Sequence, residues 1–443
     1  MNKKKKKYYN NHLDIPYLLF ADKDGNIYDH PDLLMAGMSY DECVCPSPEE
    51  LVSLPFNSKL FFLPETKPVG YDPLADEYVV LDTIEIEGEE VECFAVSVFL
   101  TPGYARLYLP AADYAQKKLT LPLWSYTAVG VNSKGEIRAC AFKIEENRKW
   151  DPKNYDDRKL LPKVDRLVKE YPENRLLGHL KKCATEYHCF AGKNMFLRRW
   201  EAPLPVSRSC NSKCLGCISL QEKESGCTAS HERIAFKPTV KEIAELSIAH
   251  LEEADEAMVS FGQGCEGEPL TEWELILEAI KEIRAHTKKG SINLNTNGSM
   301  PDKVAMLIDA GLNSIRVSLN SASQKLYNAY FRPVSYTFSD VAQTIRLSKE
   351  KGIFTMINYL IFPGVNDTEE EYESLRKLII TTKLDFIHFK NLCIDPVLYI
   401  DTVSRGEGDT LGIRGMFELL RNEFPDVEIG YFNKNVSRYV GYE

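Results

Sequence analysis

Residues 256–298 read EAMVSFGQGCEGEPLTEWELILEAIKEIRAHTKKGSINLNTNG. EAMVSFGQ and SINLNTN are apolar runs of strand length. Between them EWELILEAIKEIRAHT repeats apolar residues at three-to-four spacing, with an acidic start and a basic end. Strand, amphipathic helix and second strand make one βα crossover, the unit of a parallel sheet. Working outward, the alternation recurs. SIRVSLN, FTMINYLIF and DFIHFKNL read as strands, and VKEIAELSIAHLEEA, PDKVAMLIDAG, FSDVAQTIRLSKEKG and EEEYESLRKLIITTK as helices. A first strand near EAPLPVS brings the count to about six units, short of the eight of a closed barrel. The pattern predicts an α/β fold, a partial (β/α)6 barrel over residues 200–395, with chemistry at the C-terminal ends of its strands.

Upstream the rhythm differs. Residues 1–150 predict a β-rich α+β domain of unassigned role, with a hairpin turning at Asn132-Ser133-Lys134-Gly135 and repeated proline breaks over 46–74. Residues 151–199 read as a helical connector, and 396–443 as a C-terminal extension with a helix. Of the 443 residues 44% are hydrophobic and 27% charged, which excludes a collagen, a coiled-coil rod and a wholly disordered chain. The net charge of −11, most of it in residues 201–443, disfavours nucleic acid and anionic membrane surfaces as partners. No run approaches the ~20 apolar residues of a membrane span. The lysine run at 3–7 precedes only a brief apolar stretch at 15–21, so the expectation is a solvated tail rather than a signal peptide, and a cytoplasmic protein with reduced thiols.

Twelve cysteines then call for an explanation. Residues 207–220, SRSCNSKCLGCISL, place Cys210, Cys214 and Cys217 as C-x3-C-x2-C. Three thiolates on one short loop suit three corners of an iron–sulfur cluster. A zinc site with Cys227 or His231 as a fourth ligand is the alternative. Three unconnected core thiols fit poorly, because Asn211, Ser212, Lys213 and Gly216 are not core residues.

This loop, at the top of a first barrel strand, resembles the signature of the radical S-adenosylmethionine (SAM) superfamily. The resemblance covers residues ~200–395. It implies a [4Fe–4S] cluster on the three cysteines, with one iron open to the amino and carboxylate groups of SAM. It further implies reductive cleavage of SAM to a 5′-deoxyadenosyl radical, oxygen sensitivity, and an external electron donor such as flavodoxin or ferredoxin. Glu266, Gly267, Glu268 and Pro269 resemble the glycine–glutamate motif that meets the SAM amino group. Asn295, Thr296, Asn297 and Gly298 resemble the third-strand segment near the cofactor. Ser318 and Asn320 resemble the fourth-strand residues for the SAM ribose or carboxylate, and NYLIFPGVND, from Asn358, the fifth-strand motif against adenine. Two departures stand out. Gly216 replaces an aromatic residue that packs beside adenine, leaving Ile218 or a fifth-strand side chain to cover it. Glu266 replaces the first glycine of Gly-Gly-Glu.

Cys265, inside the second-strand motif, has a catalytic reading (radical relay, methyl acceptor or substrate ligand) and a packing reading. Cys183, Cys189 and Cys227, with Cys265 or His188, could form a second cluster or a zinc site; Cys43 and Cys45 could join it or be surface thiols. Cys93 and Cys140 fit core strands, and Cys393 stands alone. No cysteine follows Cys393, so a seven-cysteine SPASM-type domain is not expected. His388 reads as a core histidine facing the barrel. Glu268, Lys390 and Asp395 are generic acid–base groups near strand ends. Trp124, Tyr126 and Trp200 could line a substrate path. The substrate class stays open between peptide or protein and small metabolite. A non-catalytic iron–sulfur or zinc protein and an RNA-modifying enzyme are the alternative functions.

Overall fold

Burial on both faces explains why the barrel strands read as near-continuous apolar runs. The computed structural model describes residues 15–436; the lysine run at 3–7 lies outside them. Seven strands form one sheet in sequence order: β1 (Arg199–Pro203), β2 (Asp255–Phe261), β3 (Ser291–Thr296), β4 (Ser314–Leu319), β5 (Phe354–Ile361), β6 (Phe386–Asn391) and β7 (Glu428–Gly430). Every neighbouring pair is parallel. All six residues of β3 are buried, as are the last five of β2. The first six strands are those the alternation predicts. β7 comes from the C-terminal extension and adds itself to the edge beside β6.

Helices cover the outside of this sheet, and their caps set their bounds. Thr239 starts Val240–Glu253 and Thr337 starts Phe338–Glu350, each in a reciprocal capping box with the residue three positions on. Proline opens Pro301–Asp309, where its missing N–H costs nothing. In the connector, Asn174 caps Arg175–Thr185 by accepting from the Leu177 amide. Arg175 forks onto Glu242 of the barrel helix with two 2.8 Å hydrogen bonds, tying connector to barrel. A further connector helix, Phe190–Leu197, has an apolar and glycine composition without helical periodicity, and its outline is not readable from spacing.

The N-terminal region is an antiparallel eleven-stranded sheet with small satellites. Its hairpin forms as expected: Val129–Val131 pairs with Ile137–Lys143. Asn132 Oδ1 accepts from the amides of Lys134 and Glu136 to close the turn. This sheet docks on the β5–β6 side of the barrel. The backbone of Tyr104–Arg106 is gripped from both sides by Asn391, whose Oδ1 accepts from the Arg106 amide at 2.9 Å and whose Nδ2 donates to Tyr104 O at 3.0 Å. The fully buried Arg106 guanidinium donates to the carbonyls of Tyr126, Ile361 and Leu392. Asp395, also fully buried, pairs with Lys117 at 2.7 Å. One hydrophobic core, running from Leu34 and Met35 through Leu107 to the barrel interior, spans both halves.

Candidate functional site

The loop after β1 carries Cys210, Cys214 and Cys217 over the barrel rim, and its backbone is pinned on two sides. On one side Lys213 N donates to Phe331 O, Leu215 N to Tyr330 O, and Val334 N to Asn211 O. On the other, Gly267 N donates to Ser207 O and Glu268 N to Ser209 O, both at 2.8 Å. Gly267 is required there: a Cβ would stand 2.0 Å from Ser209 O. Gly262, at φ +80°, turns β2 into the same loop, where a Cβ would lie 1.7 Å from Asn295 O.

The three cysteines line one cavity of ≈ 420 Å³ at the C-terminal ends of the strands. All twelve cysteines of the chain are free thiols. Burial pushes the thiols of Cys210 and Cys214 up, and the Arg233 guanidinium lies 3.7 Å from Cys217 Sγ. The donor set fits an iron–sulfur cluster on this loop: three soft ligands converge on a space of ligand size, rimmed by glycine and asparagine. Asn358 Oδ1, buried at that rim without a partner, is a free acceptor for a bound ligand.

Most expected cofactor-contact residues are brought to this cavity: Gly216, Glu266, Gly267, Glu268, Asn295, Asn297, Ser318 and Asn358 all line it. The two glutamates are, however, occupied with the backbone. Glu266 Oε2 accepts from the amides of Val206 and Ser207 at 2.8 and 3.0 Å, and Oε1 from those of Gly262 and Gln263. Glu268 accepts from Leu270 N, Thr296 Oγ1 and Asn297 N. Burial pushes both carboxyls up to about 7, against the pull of these donors. Asn297 joins the same bracing by donating to Asn211 Oδ1 and Ser212 Oγ. At Gly216 the Tyr330 hydroxyl stands 3.0 Å from where a Cβ would be, and Ile218 and the fifth-strand Leu360 are among the apolar residues lining the cavity, with Phe331 and Leu392.

Asn320 is one expected residue that the cavity lining leaves out. Strand alternation puts residues 316, 318 and 320 on one face, but β4 ends at Leu319 and the chain turns. Asn320 is fully buried away from the cavity and donates to Leu326 O and Tyr399 Oη. Cys265 is another: it does not line the cavity, because the β2 loop turns it outward onto the connector helix. There it meets Cys183 and His179, not the larger set of the sequence reading. Cys227 instead faces Leu121 O, and His188 pairs with Asp157. Asp395 holds Lys117 and caps Pro396–Thr402, and Lys390 lies over the Tyr431 ring, so neither lines the cavity. His388 is buried against Tyr431 O and Met356 Sδ, a satisfied core position. Trp124, Tyr126 and Trp200 also lie outside the cavity lining.

Two residues that sequence reasoning passed over do line it. Arg233 donates to Ser219 Oγ and reaches Cys217. Arg316, two residues before Ser318 on the inward face of β4, brings a second guanidinium whose charge burial disfavours. The inward parity of SIRVSLN was the available signal.

Residues 204–378 match the family model of the radical SAM superfamily. Among curated proteins, the FeMo cofactor biosynthesis protein NifB of Klebsiella pneumoniae is 23% identical over 201 residues, 42% of this chain and 42% of NifB. The chain thus spans less than half the length of that relative. Similar solved structures include native anSMEcpe with bound AdoMet (TM-score 0.38, 19% identity, 52% of this chain and 63% of that one). Streptococcus suis SuiB bound to precursor peptide SuiA gives a TM-score of 0.38 at 13% identity, covering 70% and 71%.

Proposed function

We propose, from the family match over residues 204–378, that the chain is a radical SAM enzyme that cleaves SAM reductively and uses the product radical on a substrate. The observation that carries this reading is the convergence of Cys210, Cys214 and Cys217 on one cavity at the strand ends. Held by Cys210, Cys214 and Cys217, a [4Fe–4S] cluster would supply the one-electron chemistry for reductive cleavage of SAM to methionine and a 5′-deoxyadenosyl radical able to take hydrogen from substrate. The chain's residues hold and orient. The three thiolates are cluster ligands, and Arg233 beside Cys217 offsets their negative charge. Glu266 and Glu268 are assigned as braces that fix the loops after β1 and β2, not as acceptors for the SAM ammonium. Backbone carbonyls at the Gly262–Gly267 loop and the free Asn358 Oδ1 take that acceptor role. Arg316, the cavity guanidinium not held by the cluster loop, suits the SAM carboxylate, with Ser318 beside it. Ile218 and Leu360 stand in for the missing aromatic neighbour of adenine. An external one-electron donor such as flavodoxin or ferredoxin completes the turnover.

The test is anaerobic reconstitution with iron and sulfide, then reduction with dithionite in the presence of SAM. Gain of about four irons per chain and formation of 5′-deoxyadenosine, both lost in C210A/C214A/C217A, are the expected outcomes. A loaded, reduced protein that neither binds nor cleaves SAM refutes the reading. Stimulation of 5′-deoxyadenosine by members of a peptide and metabolite panel identifies what the radical attacks.

A further inference from the structure

Behind the loop that carries Glu266, three metal-type ligands meet outside the cavity. His179 and Cys183 sit four residues apart on the helix Arg175–Thr185, which puts both on one face. Cys265, from the turn after β2, points onto that face. The His179 Nε2, Cys183 Sγ and Cys265 Sγ atoms all lie within 4.8 Å of one another, and Nε2 to Cys183 Sγ is 3.7 Å. Among the described residues no other group of three or more such ligands converges this closely.

The spacing decides which metal form fits. Tetrahedral zinc, with bonds of about 2.3 Å to sulfur and about 2.0 Å to nitrogen, sets its ligand atoms about 3.6 Å (N to S) and about 3.8 Å (S to S) apart. The 3.7 Å from His179 Nε2 to Cys183 Sγ matches the first of these edges, and the other two separations lie within 4.8 Å. A cubane cluster bonds each ligand to a different iron, so its ligand sulfurs spread wider than around one ion. The cluster-loop thiols do not form a group within 4.8 Å; the trio does. Two thiols, at 1% and 5% exposure, and an imidazole form the donor set of zinc rather than of a hard cation. The fourth position falls to a residue outside the converging trio. His231 is that residue: its ring packs edge-on to Tyr187, and its Nδ1 is buried without a hydrogen-bond partner.

We propose that His179, Cys183 and Cys265, completed by His231, bind a single zinc ion that fastens the connector helix to the loop after β2. Four protein ligands leave no open position, so the ion is structural. Zinc takes both sulfurs as thiolates, so the proton shared by the Cys183–Cys265 pair leaves to solvent, with no redox change. Its effect on the cavity is indirect: Cys265 is bonded to Glu266, the residue that holds the β1 and β2 loops together. His179 and Cys183 are therefore positioning residues.

The test uses the full chain in the C210A/C214A/C217A background, so that loop thiols cannot compete, purified anaerobically and dialysed against a weak chelator. About one zinc per chain by plasma mass spectrometry is expected, falling below about a tenth in C183S and in C265S. Because either serine variant could lose zinc through misfolding, H179C serves as the second variant. It keeps zinc, and after cobalt exchange its thiolate-to-cobalt charge-transfer band rises by about half, as the thiolates go from two to three. H231A keeps the ion but weakens it at least about tenfold in chelator competition; an unchanged affinity overturns the four-ligand, closed site. A natively folded chain without zinc, iron held in its place, or a Cys183–Cys265 disulfide in anaerobic material overturns the proposal. None of these results depends on SAM cleavage, so failure here and failure of the proposed activity are separable.

Discussion

Glu266→Gln separates a brace from a ligand contact. The carboxylate serves four backbone amides, two on each oxygen: Val206 and Ser207 on Oε2, Gly262 and Gln263 on Oε1. Glutamine offers one oxygen and one NH2 group, so whichever way it is flipped, two amides face a donor. Each buried donor left without an acceptor costs about 1–3 kcal/mol, so the variant loses about 2–6 kcal/mol. The assay is urea unfolding of the reduced chain without cofactors, followed by tryptophan fluorescence and circular dichroism together, whose coincidence tests for a single transition. E274Q, at an exposed helix position, is the control and stays within about 0.5 kcal/mol of wild type. Because the same four amides set the start of the cluster loop, E266Q also retains less iron after reconstitution. A loss below about 0.5 kcal/mol, with weakened SAM binding as the sole effect, would refute the brace and return Glu266 to the cofactor.

Four further outcomes are expected. Gly267→Ala drives a Cβ into Ser209 O, destabilising by about 1–3 kcal/mol and lowering iron content; a variant with full iron and an unchanged unfolding curve refutes the close approach. Lys117→Met leaves the buried Asp395 carboxylate without its cation and costs about 3–5 kcal/mol, part of which K117M/D395N recovers in the same urea assay. Burial holds His250 down at about 4, its Nε2 against Trp200 O. With its folded value depressed, its contribution is present in full above the unfolded value of about 6.5 and is lost as pH falls through 4. That is roughly 3 kcal/mol, and H250Q flattens this part of the stability–pH curve. Arg316→Met weakens SAM binding by about 10–100-fold, the worth of a charged hydrogen bond, measured by equilibrium dialysis; unchanged affinity removes Arg316 from the carboxylate site.

The barrel was legible because its strands and helices obey two clean periods, as in EAMVSFGQ followed by EWELILEAIKEIRAHT. β7 was not: three residues, Glu428–Gly430, carry no period, and their place in the sheet comes from pairing with β6. Gln324–Phe331 was also hidden, since its apolar face packs among aromatic residues rather than marking a simple stripe. At the site, spacing was enough to single out the three loop cysteines. Parity misplaced Asn320 because it assumes a strand longer than the one that forms. Cys265 could not be placed without knowing which way its turn faces. The His179–Cys183 pair, by contrast, was present in the sequence as a four-residue helical spacing, within a segment whose cysteines drew attention first.

The grip of Asn391 on the Tyr104–Arg106 backbone bears on how this chain can be divided. Asn391 lines the cavity with one part of its surroundings and completes the N-terminal sheet's docking with the other. A shortened chain that begins at the connector would keep every cluster cysteine. It would also strip Asn391 and Asp395 of buried partners and open the shared core along β6. The barrel and the sheet before it are thus one folding unit in practice. Exchange of the N-terminal half between related chains would have to carry the Arg106, Lys117 and Asn391 contacts across together.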